Sequence, residues 1–319
     1  MEELRYREND RFFPIPENEK DIQAIRAEHF IDIPSEPAGF NILEGLCFDR
    51  AGKLFICNTP QSRIWKLDVE TKELSVFADL PEHMMPSAVK IHKDGRIFST
   101  MAGSDEGCLI AILSPEGELL EKIVTGTGRM IDDMVFDSEG GFYFSDLGGT
   151  MADKSAGVFY VEPDCKTVHP VIPGGMIATN GISLDPDGTK LWVTEYGTGK
   201  LHRMTLLPDR YTIEPASSYV AYHFMGLEGP DSTVVDEDGN LYVAMCGQAR
   251  FLVFNRNGYP IGQILVPGRE RGEMAKSTHL TIRPGTNEAY MCAADLNTGK
   301  CAIYTAKVFA NAYKSYQFQ

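Results

Sequence analysis

One pattern recurs six times along the 319-residue chain: an apolar stretch carrying a polar residue, a turn with glycine, then alternating apolar and aromatic residues. The copies read LEGLCFDRAGKLFIC from Leu43, SAVKIHKDGRIFST from Ser87, IDDMVFDSEGGFYFSD from Ile131, NGISLDPDGTKLWVTE from Asn180, PDSTVVDEDGNLYVAM from Pro230 and STHLTIRPGTNEAYMC from Ser277. Their turn glycines, Gly52, Gly95, Gly140, Gly188, Gly239 and Gly285, are spaced from 43 residues (Gly52 to Gly95) to 51 (Gly188 to Gly239). A repeat of that length cannot bury its own apolar face and must stack on its neighbours.

Each copy has the signature of a hairpin, two period-2 runs joined by Asp-Gly or a related turn. Further strand-like runs follow, as in SRIWKLDVETKELSVFA and RFLVFNRNGYPIGQILV, which makes four strands per unit. Helical solenoid repeats have similar length, but these segments are too rich in β-branched and aromatic residues and too often cut by Gly and Pro. The expectation is an all-β fold, a six-bladed β-propeller with four-stranded blades spanning 1–319 as a single domain. Residues 1–36 lie outside the repeats. There, ENEKDIQAIRAEHF predicts a short N-terminal helical segment, and FIDIP from Phe30 predicts a strand that closes the last blade.

Superposing the repeats singles out one position. Five residues before Asp49, His92, Asp137, Asp185, Asp236 and Arg283 stand Glu44, Ser87, Asp132, Asn180, Asp231 and Thr278, all polar. The first strand of each propeller blade lines the central channel, so equivalent positions converge around the axis. Three carboxylates brought together repel unless they bind protons, water or a cation. An all-oxygen set of Glu44, Asp132, Asn180, Asp231 and Ser232 suits a hard divalent ion, with Ca2+ favoured over Mg2+. The alternative is that these residues merely begin strands and contact channel water. Ser87 and Thr278 read as neutral lining, Asp133 as a hydrogen-bonding group beneath the ring, and His279 as structural. Met84, Met85, Met101 and Phe40 either shape an apolar pocket or pack in the core.

Bulk composition narrows the partners. A formal net charge of -15 disfavours nucleic acid and anionic membranes. The start, MEELRYREND, lacks the basic and apolar regions of a secretory signal, and no apolar run approaches membrane-spanning length, so a cytoplasmic protein is expected. Seven cysteines without a CxxC pair argue against a disulfide framework or zinc ribbon. There is no GxSxG or HExxH. The Gly-Lys pairs at Gly52, Gly199 and Gly299 lack the following Ser or Thr of a phosphate loop, and the GTG from Gly126 lacks the third glycine of a dinucleotide fingerprint. A closed ring buries its own sheet edges, so a monomer is expected.

Through LEGLCFDRAGKLF, IDDMVFDSEGGFYF, LWVTE, EGPDS, NLYVAM and GYPIGQIL, the chain resembles the gluconolactonase and regucalcin (senescence marker protein, SMP-30) family over nearly its whole length. That resemblance implies an axial calcium held by Glu44, Asp132, Asn180 and Asp231 with Ser232. It also implies hydrolysis of small-molecule lactones and an acid/base role for Asp231. One branch of the family carries a second, structural calcium on the loop before IDD, with an acidic ligand where this chain has Val124. Ser104, Thr127 and the backbone near Arg129 remain as partial ligands, and loss of a carboxylate weakens attraction for a divalent ion. The readings that compete with a lactonase are a calcium-binding propeller without turnover and a hydrolase of another ester, such as a phosphotriester.

Overall fold

The computed structural model describes residues 13–35, 41–107, 109–125 and 130–319. Two N-terminal strands, β1 (Gln23–Arg26) and β2 (Glu28–Ile33), precede the repeats. The first three blades are β3 (Leu43–Phe48), β4 (Lys53–Asn58), β5 (Arg63–Asp68) and β6 (Leu74–Asp79); then β7 (Met85–Ile91), β8 (Ile97–Gly103), β9 (Leu109–Leu113) and β10 (Leu119–Val124); then β11 (Ile131–Phe136), β12 (Phe142–Asp146), β13 (Ala156–Val161) and β14 (Val168–Met176). The fourth and fifth are β15 (Thr179–Leu184), β16 (Lys190–Glu195), β17 (Lys200–Leu206) and β18 (Ile213–His223), and β19 (Pro230–Val235), β20 (Leu241–Met245), β21 (Arg250–Phe254) and β22 (Pro260–Leu265). The sixth joins β23 (Lys276–Ile282), β24 (Glu288–Asp295) and β25 (Lys300–Lys307) to β2.

The inner strands pack in a closed circuit, β3 on β7, β7 on β11, β11 on β15, β15 on β19, β19 on β23, and β23 back on β3. This is the expected six-bladed propeller of four-stranded blades. Its core is divided among the blade interfaces. Phe55, Ile64 and Val89 pack between the first and second blades, Phe98, Met134 and Phe144 between the second and third, and Tyr143, Ile182 and Leu191 between the third and fourth. Trp192 with Val243 and Phe254 joins the fourth to the fifth, Phe251 with Met291 the fifth to the sixth, and Leu46 with Tyr290 and Ile303 the sixth to the first. Each large apolar side chain so buried contributes about 1.5–3 kcal/mol before conformational entropy is subtracted. Met84 and Met101 belong to this packing, while Phe40 lies outside the described residues.

The repeat aspartates stabilise the hairpin turns. Asp137 Oδ1 accepts from the amides of Glu139 (2.8 Å) and Gly141 (3.0 Å), and Asp236 Oδ1 accepts from those of Asp238 (3.1 Å) and Asn240 (2.8 Å). Gly140 and Gly239 follow with φ of +93° and +81°, where a Cβ would be strained.

The N-terminal segment departs from the sequence expectation. Among its described residues the helical content is a single 3-10 turn, Glu17–Glu19, and much of the stretch with helix-forming composition is strand. β2 pairs antiparallel with β25, from Glu28↔Thr305 to Ile33↔Cys301, while β1 adds in parallel to the outer strand of the fifth blade, Gln23↔Gly262 through Arg26↔Leu265. Two unpaired sheet edges offered backbone hydrogen bonds that outweighed a weak local helix preference.

A buried ion pair anchors this segment. Arg250 Nη1 lies 2.6 Å from Glu19 Oε2, with both side chains excluded from solvent, and Tyr222 donates to Glu19 Oε1 at 2.6 Å. Removing the carboxylate strands a buried guanidinium, so Glu19→Ala is expected to lose about 3–5 kcal/mol of stability in urea denaturation. A loss below about 1 kcal/mol would show that the segment is not anchored through this pair.

Candidate functional site

Each inner strand carries a register irregularity near its start: between Glu44 and Cys47, Pro86 and Ala88, Ile131 and Met134, Thr179 and Ile182, Pro230 and Thr233, and Ser277 and Leu280. Bulges of this kind interrupt pleat alternation and re-aim side chains. They coincide with the six polar positions found by superposing the repeats. Glu44, Ser87, Asp132, Asn180, Asp231 and Thr278 are all buried, as is Ser232.

Hydroxyls on the second strand hold the bulged carbonyls of the following blade. Thr100 on β8 donates to the Asp132 carbonyl at 2.7 Å, Ser145 on β12 donates to the Asn180 carbonyl, and Thr194 on β16 donates to the Asp231 carbonyl at 2.8 Å. Where the sixth blade meets the first, Thr278 donates to the Leu43 carbonyl at 2.6 Å. Sequence reasoning missed the three second-strand hydroxyls. Their signal was a recurring small polar residue in FST, FSD and VTE, with Cys57 and Cys292 at matching positions.

The acidic groups form an electrostatically linked set. Burial, then Asp231 and Asp132, raise the Glu44 carboxyl well above the usual range; burial, then Asp231 and Asp133, do the same for Asp132. Burial also pushes Asp231 up to about 7, against hydrogen bonds from Cys246, the Ser232 amide and Asn180 and the opposing charge of Lys276. The Ser232 amide donates to Asp231 Oδ1 at 2.9 Å. Glu44 Oε2, Asp132 Oδ2 and Asn180 Oδ1 are buried without a hydrogen-bond partner. Orphaned, hard oxygen donors on two linked carboxylates and an amide fit a divalent cation in chemistry and burial. The ring is not a closed cluster, because among the described residues no three His, Cys, Asp or Glu side chains stand close enough to hold a metal by themselves.

Asp133 is satisfied outside the ring, with Lys90 Nζ 3.1 Å from its Oδ1 and the Met134 amide donating to the same oxygen at 2.8 Å. Beside Asp231 lies a network absent from the sequence reading. Cys246 Sγ donates to Glu228 Oε2 at 3.0 Å, Tyr196 donates to the same oxygen at 2.9 Å, and Lys276 pairs with that carboxylate. Burial, then the charges of Asp231 and Glu228, hold the Cys246 thiol well above its usual range.

Loops at the chain-start ends of the inner strands expose Met151, Met225, Leu227 and Leu296, placing apolar groups on the same face as the ring. Of the residues expected near a second ion, Val124 ends β10 with its side chain exposed, and the Ser104 hydroxyl accepts from the Glu106 amide at 3.1 Å. Thr127 and Arg129 lie outside the described residues.

Comparison with known proteins places this arrangement among relatives. A profile of the SMP-30/gluconolactonase/LRE-like region matches residues 125–275. The chain is 47% identical over 309 residues to lactonase drp35 of Staphylococcus haemolyticus, covering 95% of this chain and 93% of that one. It is 45% identical over 307 residues to lactonase drp35 of Staphylococcus aureus strain USA300, covering 95% and 93%. Among solved structures, a calcium-binding protein, regucalcin, from Agrobacterium tumefaciens superposes with TM-score 0.68 at 17% identity, covering 92% of this chain and 99% of that one. A gluconolactonase from Xanthomonas campestris gives 0.67 at 15% identity, covering 87% and 98%. At those identities the structural matches speak for the fold.

The hydroxyl contacts are open to a direct test. Thr194→Val keeps the side-chain shape but leaves the Asp231 carbonyl without that donor, and a loss of about 1–3 kcal/mol in chemical denaturation is expected. No measurable change would mean that water replaces the hydroxyl and that the contact does not position Asp231.

Proposed function

Because the chain belongs to the SMP-30/gluconolactonase/LRE-like family, we propose that it hydrolyses lactones at the buried acidic ring, with calcium as its ion and Asp231 as acid/base. The observation that carries this reading is the set of orphaned ring oxygens on Glu44, Asp132 and Asn180, gathered with Asp231. A calcium ion held by Glu44, Asp132, Asn180, Asp231 and Ser232 would supply Lewis-acid polarisation of the lactone carbonyl.

The protein's own groups account for orientation and proton transfer. The Ser232 amide and the Asn180 side chain fix the Asp231 carboxylate, so that it meets a water approaching the carbonyl in one orientation. Asp231 takes a proton from that water as the new carbon–oxygen bond forms. It returns the proton to the ring alkoxide as the ester bond breaks, releasing a hydroxy acid. Burial excludes competing water and strengthens each polar contact. The apolar side chains around the ring's face support a lactone with an aromatic or alkyl body over a polyhydroxylated sugar lactone.

A panel from sugar lactones to dihydrocoumarin, assayed with chelator and then with calcium restored, tests the reading. Turnover is expected to vanish on chelation, return with calcium, and be greater for the apolar lactones. Asp231→Ala is expected to lower kcat by about a hundredfold or more. Full turnover after complete chelation would overturn the ion's role. A calcium-dependent rise in Tm without turnover of any lactone would instead support a binding protein.

A further inference from the structure

A cavity of about 620 Å³ lies at the other end of the channel from the acidic ring. The final residue of every inner strand lines it, namely Phe48, Ile91, Phe136, Leu184, Val235 and Ile282, whereas Glu44, Asp132, Asn180 and Asp231 do not. Residues 312–319 cross these strand ends and complete the wall. Ala312 bridges to Asp236, the Tyr316 ring packs 5.4 Å from Phe136 and 4.9 Å from His92, and Gln317 Nε2 donates to the Phe48 carbonyl at 2.8 Å. The cavity is therefore a second compartment with its own walls.

Two of its polar groups are unsatisfied. His279 is 1% exposed and neither ring nitrogen has a partner; Gln317 is 2% exposed and its Oε1 has none. Buried polar atoms are normally paired, so such orphans mark a place where something else supplies the hydrogen bonds. Burial, reinforced by the charge of Lys90, keeps the imidazole neutral, leaving it one donor and one acceptor nitrogen. A hydroxyl, which also both donates and accepts, matches that pair.

The other charged side chains lining the cavity are already engaged. Lys90 pairs with Asp133, Asp137 with Arg210 and Tyr160, while Asp185 and Asp187 accept from the Thr189 amide. Both cationic side chains among the described lining residues, Lys90 and Arg210, are ion-paired, so an anionic ligand would be desolvated without compensation. The remaining wall combines aliphatic and aromatic side chains with serine and threonine hydroxyls, and the volume falls in the usual range for a small-molecule pocket.

We propose that this cavity is a second binding site, separate from the acidic ring, for a small neutral alcohol or phenol whose apolar body fills the compartment and whose hydroxyl meets His279. The site does not depend on the ring's chemistry, so Asp231→Ala is expected to leave it intact.

The experiment uses the full chain, with 4-bromophenol and 1-hexanol as probes and hexanoate as the charged control. In crystals soaked with 4-bromophenol, the bromine's anomalous signal is expected inside the cavity, with the phenol oxygen at hydrogen-bonding distance from His279. Calorimetric titration in solution is expected to saturate for both neutral probes, to persist in Asp231→Ala and to be absent for hexanoate. His279→Phe is expected to weaken 4-bromophenol by about tenfold, the loss expected for one buried hydrogen bond. Thr281→Phe, which adds bulk at the wall, is expected to weaken both neutral probes. A cavity holding only ordered water in the soaked wild-type crystals would overturn the proposal even if both variants failed to fold. So would bromophenol seen in crystals without saturable binding in solution, or hexanoate binding as tightly as hexanol.

Discussion

Ring closure forces buried polar groups from separate blades into a shared space around one axis. Three carboxylates enter it with an amide, and burial together with their mutual repulsion raises Glu44 and Asp132 well above ordinary carboxyl behaviour. The propeller tolerates this because each inner strand is restrained elsewhere, by apolar packing against its neighbour and by hydrogen bonds to its bulged backbone. Function and fold thus press on the same few residues.

The bulges connect the two. Without them a strand alternates strictly, and adjacent residues such as Asp132 and Asp133 would point to opposite faces. With them, Asp132 contributes to the ring while Asp133, also buried, is engaged by Lys90 and a backbone amide. Thr100, Ser145 and Thr194 hold the irregular carbonyls, so each of these blades helps to position an acidic or amide group belonging to the next. The carboxylates are therefore oriented by the protein through neighbouring blades.

The channel has two ends with different chemistry. One gathers oxygen donors beneath a face with exposed apolar side chains; the other is a compartment of mixed apolar and polar lining, walled partly by residues 312–319, with a neutral buried imidazole. Lys90 is associated with both, pairing with Asp133 beside the ring while lining the distal cavity. That division follows from strand direction, since every inner strand begins at one end of the channel and finishes at the other.

The repeat length, the turn glycines and the matched polar position were legible in the sequence because each is a local pattern copied six times, and copies can be superposed without coordinates. From them came the six blades and the positions of the polar ring, while the strand contributed by FIDIP followed from the need to close the last blade. The stretch ENEKDIQAIRAEHF has helix-forming composition yet much of it is strand, because the unpaired edge of β22 and the Glu19–Arg250 pair that organise it come from residues more than two hundred positions away. The bulges, the hydroxyl contacts between blades and the distal cavity likewise arise only when the ring closes. They depend on how separate blades meet, and no single repeat contains that information.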